Sequence, residues 1–448
     1  MYAYQNRIVS MVAQHQVNVI VGDTGSGKST QICQFLVEND VVPPGSAVVC
    51  TQPRKVAAIS LAKHVSIELT SKLGKAVDYM VGRRRGVNPS ARIVFATDRC
   101  LLDELLKDDL LSKYSVVIID EAHERSIHTD LLIGLIKRCL LRRPDLKVII
   151  TSATIDPTLF SNYFNGCPIL TVPGRMYPVN VHYSEQILST ESYVDRMVEQ
   201  VKLLHDTMDP GGILAFLVTP LDCEKCCEQF TDLDDVKCLS LHGQLPPDRY
   251  QELFSEVSAG LRKIVFATNC AETSITLPGV KYVVDCGLAK ESQYDTTRNA
   301  TKLVISAINK SSANQRKGRA GRIESGECFR LYTEAEYESF KDSSVPEILR
   351  ANLRLSLLQL IALGVADPSS FEFVESPGEA NIRNSISSLI SLGAINSQGQ
   401  LTPLGRQMTC LPLDPKYSRF ILNCCDLNLG FTAIAMTAMC QQGGLVFF

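Results

Sequence analysis

The residues with the clearest chemistry are Gly22, Asp23, Thr24, Gly25, Ser26, Gly27, Lys28 and Ser29. They run in the pattern GxxxxGKS, directly after the apolar stretch VNVIV and before TQICQFLVE. That spacing and context suit a polyphosphate. The glycines let the backbone curl so that its N–H groups converge on phosphate oxygens. Lys28 reaches the β- and γ-phosphates, and the Ser29 hydroxyl can bind Mg²⁺. Thr30 follows within the first helical turn, where the helix N-terminus adds partial positive charge. About ninety residues later the run VVIID closes on Asp120, Glu121, Ala122 and His123. Acidic residues at a strand's carboxyl end lie beside a phosphate loop in a parallel sheet. One carboxylate then helps to hold Mg²⁺, and another orients or activates an attacking water. Asp120, Glu121 and His123 are therefore candidate catalytic residues, and Ser29, Asp120 and Glu121 candidate metal ligands. ATP and Mg²⁺ are the expected cofactors. An Asp-Glu pair in isolation usually marks a solvated strand end; the upstream loop overrides that meaning.

Groups so far apart in sequence need a scaffold that gathers strand ends. Short Val/Ile-rich runs at 17–21, 47–51, 92–96, 115–120 and 147–152 alternate with helical segments, and a second set recurs at 212–218, 236–241, 263–267 and 280–285. Continuous rather than alternating apolar runs mark strands buried on both faces of a parallel sheet. Two doubly wound α/β lobes follow, joined near 168–178. After Val345 the pattern turns helical, with Leu and Ile at helical spacing over 348–364 and 379–392. The stretch LGAINSQGQLTPLG reads as two short strands around a turn, so helix, helix and β-wing make a winged-helix unit.

The chain has 448 residues, 45 % hydrophobic and 21 % charged, the balance of a soluble globular protein large enough for two or three domains. Its formal charge of −3 and pI near 6.2 are not those of a protein that holds nucleic acid by net charge. A nucleic-acid site must be a local channel of backbone amides and a few cations. The 16 cysteines are scattered, which fits free thiols in a reducing, intracellular compartment better than a disulfide framework. Cys223, Cys226 and Cys227 cluster, but no second pair stands at zinc-ligand spacing. No apolar stretch of about twenty residues predicts a membrane span, and no signal peptide precedes the first motif.

Asp120 to His123 resemble the signature of the DEAH-box branch of superfamily 2 helicases, and further blocks agree in order and spacing. Thr51-Gln-Pro-Arg54-Lys55 resembles the family's first RNA-contact motif and Thr97-Asp98 the second. Ser152-Ala-Thr154 resembles the motif coupling hydrolysis to movement. Thr268 to Ser274 (TNCAETS) and Gln315 to Arg322 (QRKGRAGR) resemble the two signature blocks of the second lobe. The resemblance covers essentially the whole chain. It implies two RecA-like P-loop lobes at 1–170 and 171–344, a winged-helix domain at 345–410 and the opening of a helical ratchet-like domain at 411–448. In the family, further ratchet helices and an OB-fold follow.

The resemblance also implies roles. Gln315 would position a water, while Arg319 and Arg322 offer planar cations to a γ-phosphate. The base would lie between His64, where the family usually has Arg, and Phe254. Arg54, Lys55, Thr97, Asp98, Thr273 and Ser274 would grip RNA through its backbone, without reading sequence. Ser152 and Thr154 would couple the two activities. Arg83, Arg84 and Arg85 stand where the family places a hook, and 288–306 resembles a strand-separating β-hairpin. The implied activity is an ATP-dependent RNA helicase or translocase stepping 3′→5′ on single-stranded or structured RNA. It would be intracellular, in nucleus or cytoplasm, monomeric, off the membrane and open to a protein activator. The alternatives are an RNA-binding scaffold and an RNA-stimulated ATPase without processive unwinding; a DNA substrate also stays open.

Three blocks depart from the family pattern. Thr219-Pro-Leu-Asp-Cys223 replaces Gly-Gln-Glu-Glu-Ile, Arg99 follows Thr97-Asp98 in place of Gly, and Lys317 replaces a small residue. They bear on RNA coupling more than on phosphate chemistry. The runs CTQPRKVAAISLAKHV, TDRCLL and ILAFL look most like DEAH-box cores fused to RING-type ubiquitin-ligase modules, although nothing ligase-like is in this chain.

Overall fold

The computed structural model describes residues 1–441 except 24, 83, 85, 154–156, 175–176, 246, 256–257, 259, 273–276, 296–299 and 323. For residues 247–248, 250–251, 292–295, 300–302 and 441 it describes the backbone alone. Among the described residues, fifteen strands form three sheets. The first contains β1 (Val17–Gly22), β2 (Ala47–Gln52), β3 (Val77–Met80), β4 (Ile93–Thr97), β5 (Tyr114–Ile119), β6 (Lys147–Ser152) and β7 (Ile169–Val172). Their spatial order is β3-β4-β2-β5-β6-β1-β7, and every pairing is parallel. The second contains β8 (Val179–Tyr183), β9 (Gly212–Phe216), β10 (Val236–Leu241), β11 (Arg262–Ala267), β12 (Val280–Asp285) and β15 (Gly326–Arg330), in the order β10-β11-β9-β12-β15-β8. The chain leaves the first sheet at Val172 and enters the second at Val179.

All-parallel pairing puts every strand's carboxyl end on one edge of its sheet. The phosphate loop leaves β1 there, Arg54 follows β2, Asp98 follows β4, Asp120 follows β5 and Ser152 ends β6. Crossover helices cover both faces, so β2, β4, β9 and most of β5 and β6 are buried throughout. Four strands were not legible as apolar runs. β3, β7 and β8 are sheet edges, and β7 and β8 alternate in burial, because an edge strand can leave one face partly wet. β15, GECFR, alternates in the same way.

Two further strands, β13 (Leu288–Asp295) and β14 (Ala300–Ala307), pair antiparallel as a separate hairpin, as the 288–306 pattern predicts. The helical stretch expected at 348–364 divides into Glu347–Arg350 and Arg354–Ala362. Asn352 causes the break: its side-chain oxygen accepts from Arg354 N–H at 2.9 Å, restarting the helix. The expected wing narrows to a single bridge, Ile395 to Leu401, around a turn held by Asn396.

This C-terminal unit docks on the first lobe. Buried Ile348, Leu357, Ile382, Leu389 and Met408 belong to the same apolar core as Leu132, Ile136, Val148 and Ile150. Each such side chain contributes roughly 1.5–3 kcal/mol of burial, so the unit is firmly attached. Gly134 lets the contact close: a Cβ there would lie 2.5 Å from the Phe371 ring. Lys137–Glu372 (2.8 Å) and Tyr163 Oη to Glu372 O (2.5 Å) seal the rim. Helices Pro415–Asp426 and Gly430–Gln441 end the described chain. No helix among the described residues is long and apolar enough to cross a membrane.

Candidate functional site

The phosphate loop turns through Gly25 and Gly27, at φ 87° and 86°, a left-handed geometry that costs glycine nothing. Gly22 is needed for a different reason, since a Cβ there would lie 2.8 Å from Val172 O on the neighbouring strand. Lys28 starts the helix Lys28–Glu38, is 5 % exposed, and donates its ammonium to Gly22 O and to Asp23 O (2.9 Å). Its charge is thus turned into the loop. The Asp23 carboxylate accepts from Gly174 N–H at 3.2 Å, tying the loop to the inter-lobe segment. Thr30 Oγ1 reaches back to Gly27 O at 3.4 Å. Thr24 lies outside the described residues.

Beside the loop, Asp120 is fully buried. It accepts from Gln52 Nε2 (2.5 Å), Glu121 N–H (3.0 Å) and the Thr151 hydroxyl. Glu121 sits at φ 53°, left-handed for a residue with a Cβ, which costs on the order of 1 kcal/mol and turns its side chain out of the strand line. Burial, then the Asp120 charge, raises the Glu121 pKa; His123 and Lys28 pull against them. His123 Nδ1 accepts from Ala153 N–H at 3.2 Å, lies 3.5 Å from Glu121 Oε2, and through Nε2 meets Gln315 Nε2 of the second lobe at 3.0 Å. The Asp-Glu-Ala-His turn therefore touches the QRKGRAGR block directly.

On that block, burial followed by the neighbouring Arg322 charge pushes the Arg319 pKa well down. Arg322 is pulled down to about 10 by burial, against an opposing pull from Glu121. Two cations crowded in a dry site are relieved by an anion, and a polyphosphate supplies one. Arg319 also donates to Glu272 O. Arg316 plays a part that the sequence reading missed. It is fully buried and bonds Asp285 Oδ1 (2.8 Å), Glu272 Oε2 (3.2 Å) and Leu288 O (3.3 Å). Only its place between Gln315 and Arg319 could have drawn attention to it.

Gly25, Lys28, Ser29 and Glu121 of the first lobe and Phe254 and Arg322 of the second line one cleft of about 310 Å³. His64 lines it too, and a cavity of about 600 Å³ continues past His64 and Phe254 over Val56, Ile59, Ile67 and Leu73. The polar part suits phosphates and the apolar part a base. His64 is anchored at 3.2 Å by Glu68, which also accepts from Gln34 Nε2 at 2.6 Å. The same cleft fits a magnesium ion. Ser29 and Glu121 line it, Asp120 stands behind Glu121, and magnesium characteristically takes one or two carboxylates plus substrate phosphates. Among the described residues no group of three or more His, Cys, Asp or Glu could hold a metal ion unaided.

The expected RNA residues are placed unevenly. Lys55 is exposed. Arg54 donates to Asn269 O of the second lobe and lies 3.4 Å from Glu124, bridging the lobes. Thr97 caps the helix Asp98–Leu105 through Cys100 N–H (3.4 Å), and Asp98, 1 % exposed, accepts from Thr129 Oγ1 at 2.6 Å. Both side chains are thus turned inward. Ser152 is buried, and Arg84 pairs with Asp78 at 2.8 Å over the Tyr79 ring. Thr154, Thr273, Ser274, Arg83 and Arg85 lie outside the described residues. Arg99 stands 3.4 Å from His128, whose pKa burial, then the Arg99 charge, lowers to about 4. The departure at Thr219 builds a capping box with Asp222 (2.9 and 3.2 Å).

Asp98 carries a pH prediction. Burial raises its pKa from 3.8 to about 6, so its favourable contribution is complete below pH 4 and lost as pH rises through 6. Asp98→Asn has no such charge to bury. Relative to wild type, its stability is expected to gain on the order of 2–3 kcal/mol between pH 4 and pH 7. Urea melts at the two pH values measure this, and a pH-independent difference would refute it.

Comparisons with known proteins agree with this geometry. Residues 2–160 match the DEAD/DEAH box helicase family, 195–324 the helicase conserved C-terminal domain, and 385–413 the winged-helix helicase-associated domain HA2. The chain belongs to the DEAH-box helicases of superfamily 2, with two RecA-like lobes followed by a winged helix. It is similar to the pre-mRNA-splicing factor ATP-dependent RNA helicase prp22 of Schizosaccharomyces pombe, 39 % identical over 447 residues, covering 98 % of this chain and 38 % of prp22. It is also similar to the ATP-dependent RNA helicase DEAH12, chloroplastic, of Arabidopsis thaliana, 40 % identical, covering 100 % of this chain and 26 % of that protein. The crystal structure of the Escherichia coli DEAH/RHA helicase HrpB superposes with a TM-score of 0.88 at 27 % identity, over 99 % of this chain and 57 % of HrpB. The chain thus spans well under half the length of these two curated relatives.

Proposed function

We propose that this chain hydrolyses ATP between its two lobes and uses the cycle to step 3′→5′ along single-stranded RNA, unwinding RNA or remodelling RNA–protein complexes. One observation carries the reading: Lys28, Ser29 and Glu121 from one lobe share a cleft with Arg322 from the other. A polyphosphate there draws Lys28 off the loop carbonyls and draws Arg319 and Arg322 towards the first lobe, closing the cleft. Ser29, Asp120 and Glu121 are the residues to hold Mg²⁺, which when bound neutralises charge on the phosphates. Glu121 orients the attacking water, with Gln315 and His123 positioning it across the interface. Loss of the γ-phosphate removes the anion that holds the lobes together.

RNA crosses both lobes on Arg54, Lys55, Thr97, Asp98, Thr273 and Ser274. The inward side chains of Thr97 and Asp98 leave their strand-end backbone as the contact. Ser152 and Thr154 relay the nucleotide state, and the hairpin β13–β14 separates strands. The lobes divide between Val172 and Val179, just past the expected 170/171, because β7 still pairs with β1 of the first sheet; the winged helix lies at 345–410 and the ratchet start beyond. Sixteen free cysteines support a reducing location, in nucleus or cytoplasm. Similarity to prp22, an ATP-dependent RNA helicase, supports RNA over DNA.

Steady-state ATP hydrolysis with and without single-stranded RNA tests the reading. Stimulation by RNA is expected, along with unwinding of duplexes bearing a 3′ rather than a 5′ overhang. Hydrolysis indifferent to RNA would sink the coupled motor.

A further inference from the structure

The short helix Glu347–Arg350 connects two parts of the molecule that the cleft does not join. At its first residue the Glu347 N–H donates to Arg125 O at 3.0 Å, while its carboxylate Oε2 accepts from Ile127 N–H at 2.9 Å. Glu347 therefore grips the backbone on both sides of Ser126, where the chain leaves the Glu121 turn and enters the helix Ile127–Leu140. That turn is unusual. Glu121 and Arg125 both hold left-handed φ angles, 53° and 48°, which persist in such residues only where the surroundings impose them. The Arg125 side chain adds to the restraint, meeting Asp130 at 2.7 and 2.9 Å and Glu375 at 3.6 Å. At the helix's far end Arg350 Nη1 lies 3.9 Å from Glu291 Oε2 on β13 of the hairpin.

We propose that Glu347 is a positioning residue that transmits strand engagement at the hairpin to the Glu121 turn. The inference rests on the RNA-stimulated ATPase reading above. Displacing β13 moves Arg350, and one helical turn carries the movement to the two peptide groups that Glu347 holds. Docking of the winged helix does not depend on Glu347, because Ile348, Leu357 and Leu389 bury their side chains in the first lobe's core whatever stands at 347.

The test compares RNA-stimulated with basal ATP turnover in the full chain for wild type, Glu347→Ala, Glu347→Gln and Arg350→Ala. In Glu347→Ala the stimulation ratio is expected to fall about tenfold, with basal turnover, KM for ATP and Tm close to wild type. Glu347→Gln keeps an oxygen that accepts from Ile127 N–H, so most of the ratio returns. Arg350→Ala reproduces the loss, and the double variant Glu347→Ala/Arg350→Ala is no worse than either single one, since both cut one connection. A parallel fall in basal rate and Tm would make Glu347 a structural anchor and overturn the proposal. So would a full ratio in Glu347→Ala. A wild type that RNA does not stimulate is a separate failure, one that removes the proposed function itself.

Discussion

Replacing Glu121 by Gln is expected to lower kcat for ATP at least a hundredfold while leaving KM and Tm near wild type. The size follows from the role proposed for the carboxylate. A positioned base contributes roughly 10²- to 10⁴-fold, or about 3–5 kcal/mol of barrier. Glutamine keeps the shape and the backbone turn but cannot take a proton. The carboxylate's surroundings suit that work: burial and Asp120 raise its pKa, which makes it a stronger base than a solvated glutamate. Its position lets it face both the phosphate loop and Arg322 across one cleft. Single-turnover hydrolysis together with nucleotide binding separates chemistry from affinity. A kcat within tenfold of wild type would show that another group activates the water.

The largest effect on stability is expected from Arg316→Met. Burial alone would lower this guanidinium's pKa; Asp285 and then Glu272 outweigh that pull and hold it above the ordinary value. Methionine fills similar space but leaves two buried carboxylates without their cation. Breaking a buried pair from one side costs about 3–5 kcal/mol. For a lobe of this size that lowers Tm on the order of 10 °C. Thermal melts of wild type and variant would read the loss. A Tm within about two degrees of wild type would mean that Tyr332 Oη and Gly287 N–H, both 2.9 Å from Asp285, already satisfy it.

Arg316 also shows where reading the chain stops short. Next to Gln315 and Arg319 it looks like another phosphate-facing cation, yet it points the opposite way, into the second lobe's core. A helix turns successive side chains by about 100°, so neighbours in one block serve different surfaces, and only packing decides which. Asp98 makes the same point: its motif places it at a strand end, and burial turns its carboxylate towards Thr129. The edge strands β7 and β8 escaped notice because a half-covered strand needs no continuous apolar run, and β3 because its buried Asp78 interrupts one.

What the sequence by itself determined is local and periodic. The phosphate loop, the Asp-Glu-Ala-His turn, nine strands of two parallel sheets and the hairpin β13–β14 were all legible. Each depends on residue types at fixed spacings: glycine where φ must be positive, Val/Ile runs where both faces are covered, acids at a strand's carboxyl end. Tertiary structure alone decided which groups from distant segments meet. The His123–Gln315 bond, the Arg54 bridge to Asn269, the shared cleft of Lys28 and Arg322 and the Glu347 grip on the Glu121 turn all join residues more than 190 positions apart. No spacing encodes such contacts, because they arise from how two lobes and a docked winged helix bury their remaining surface against one another.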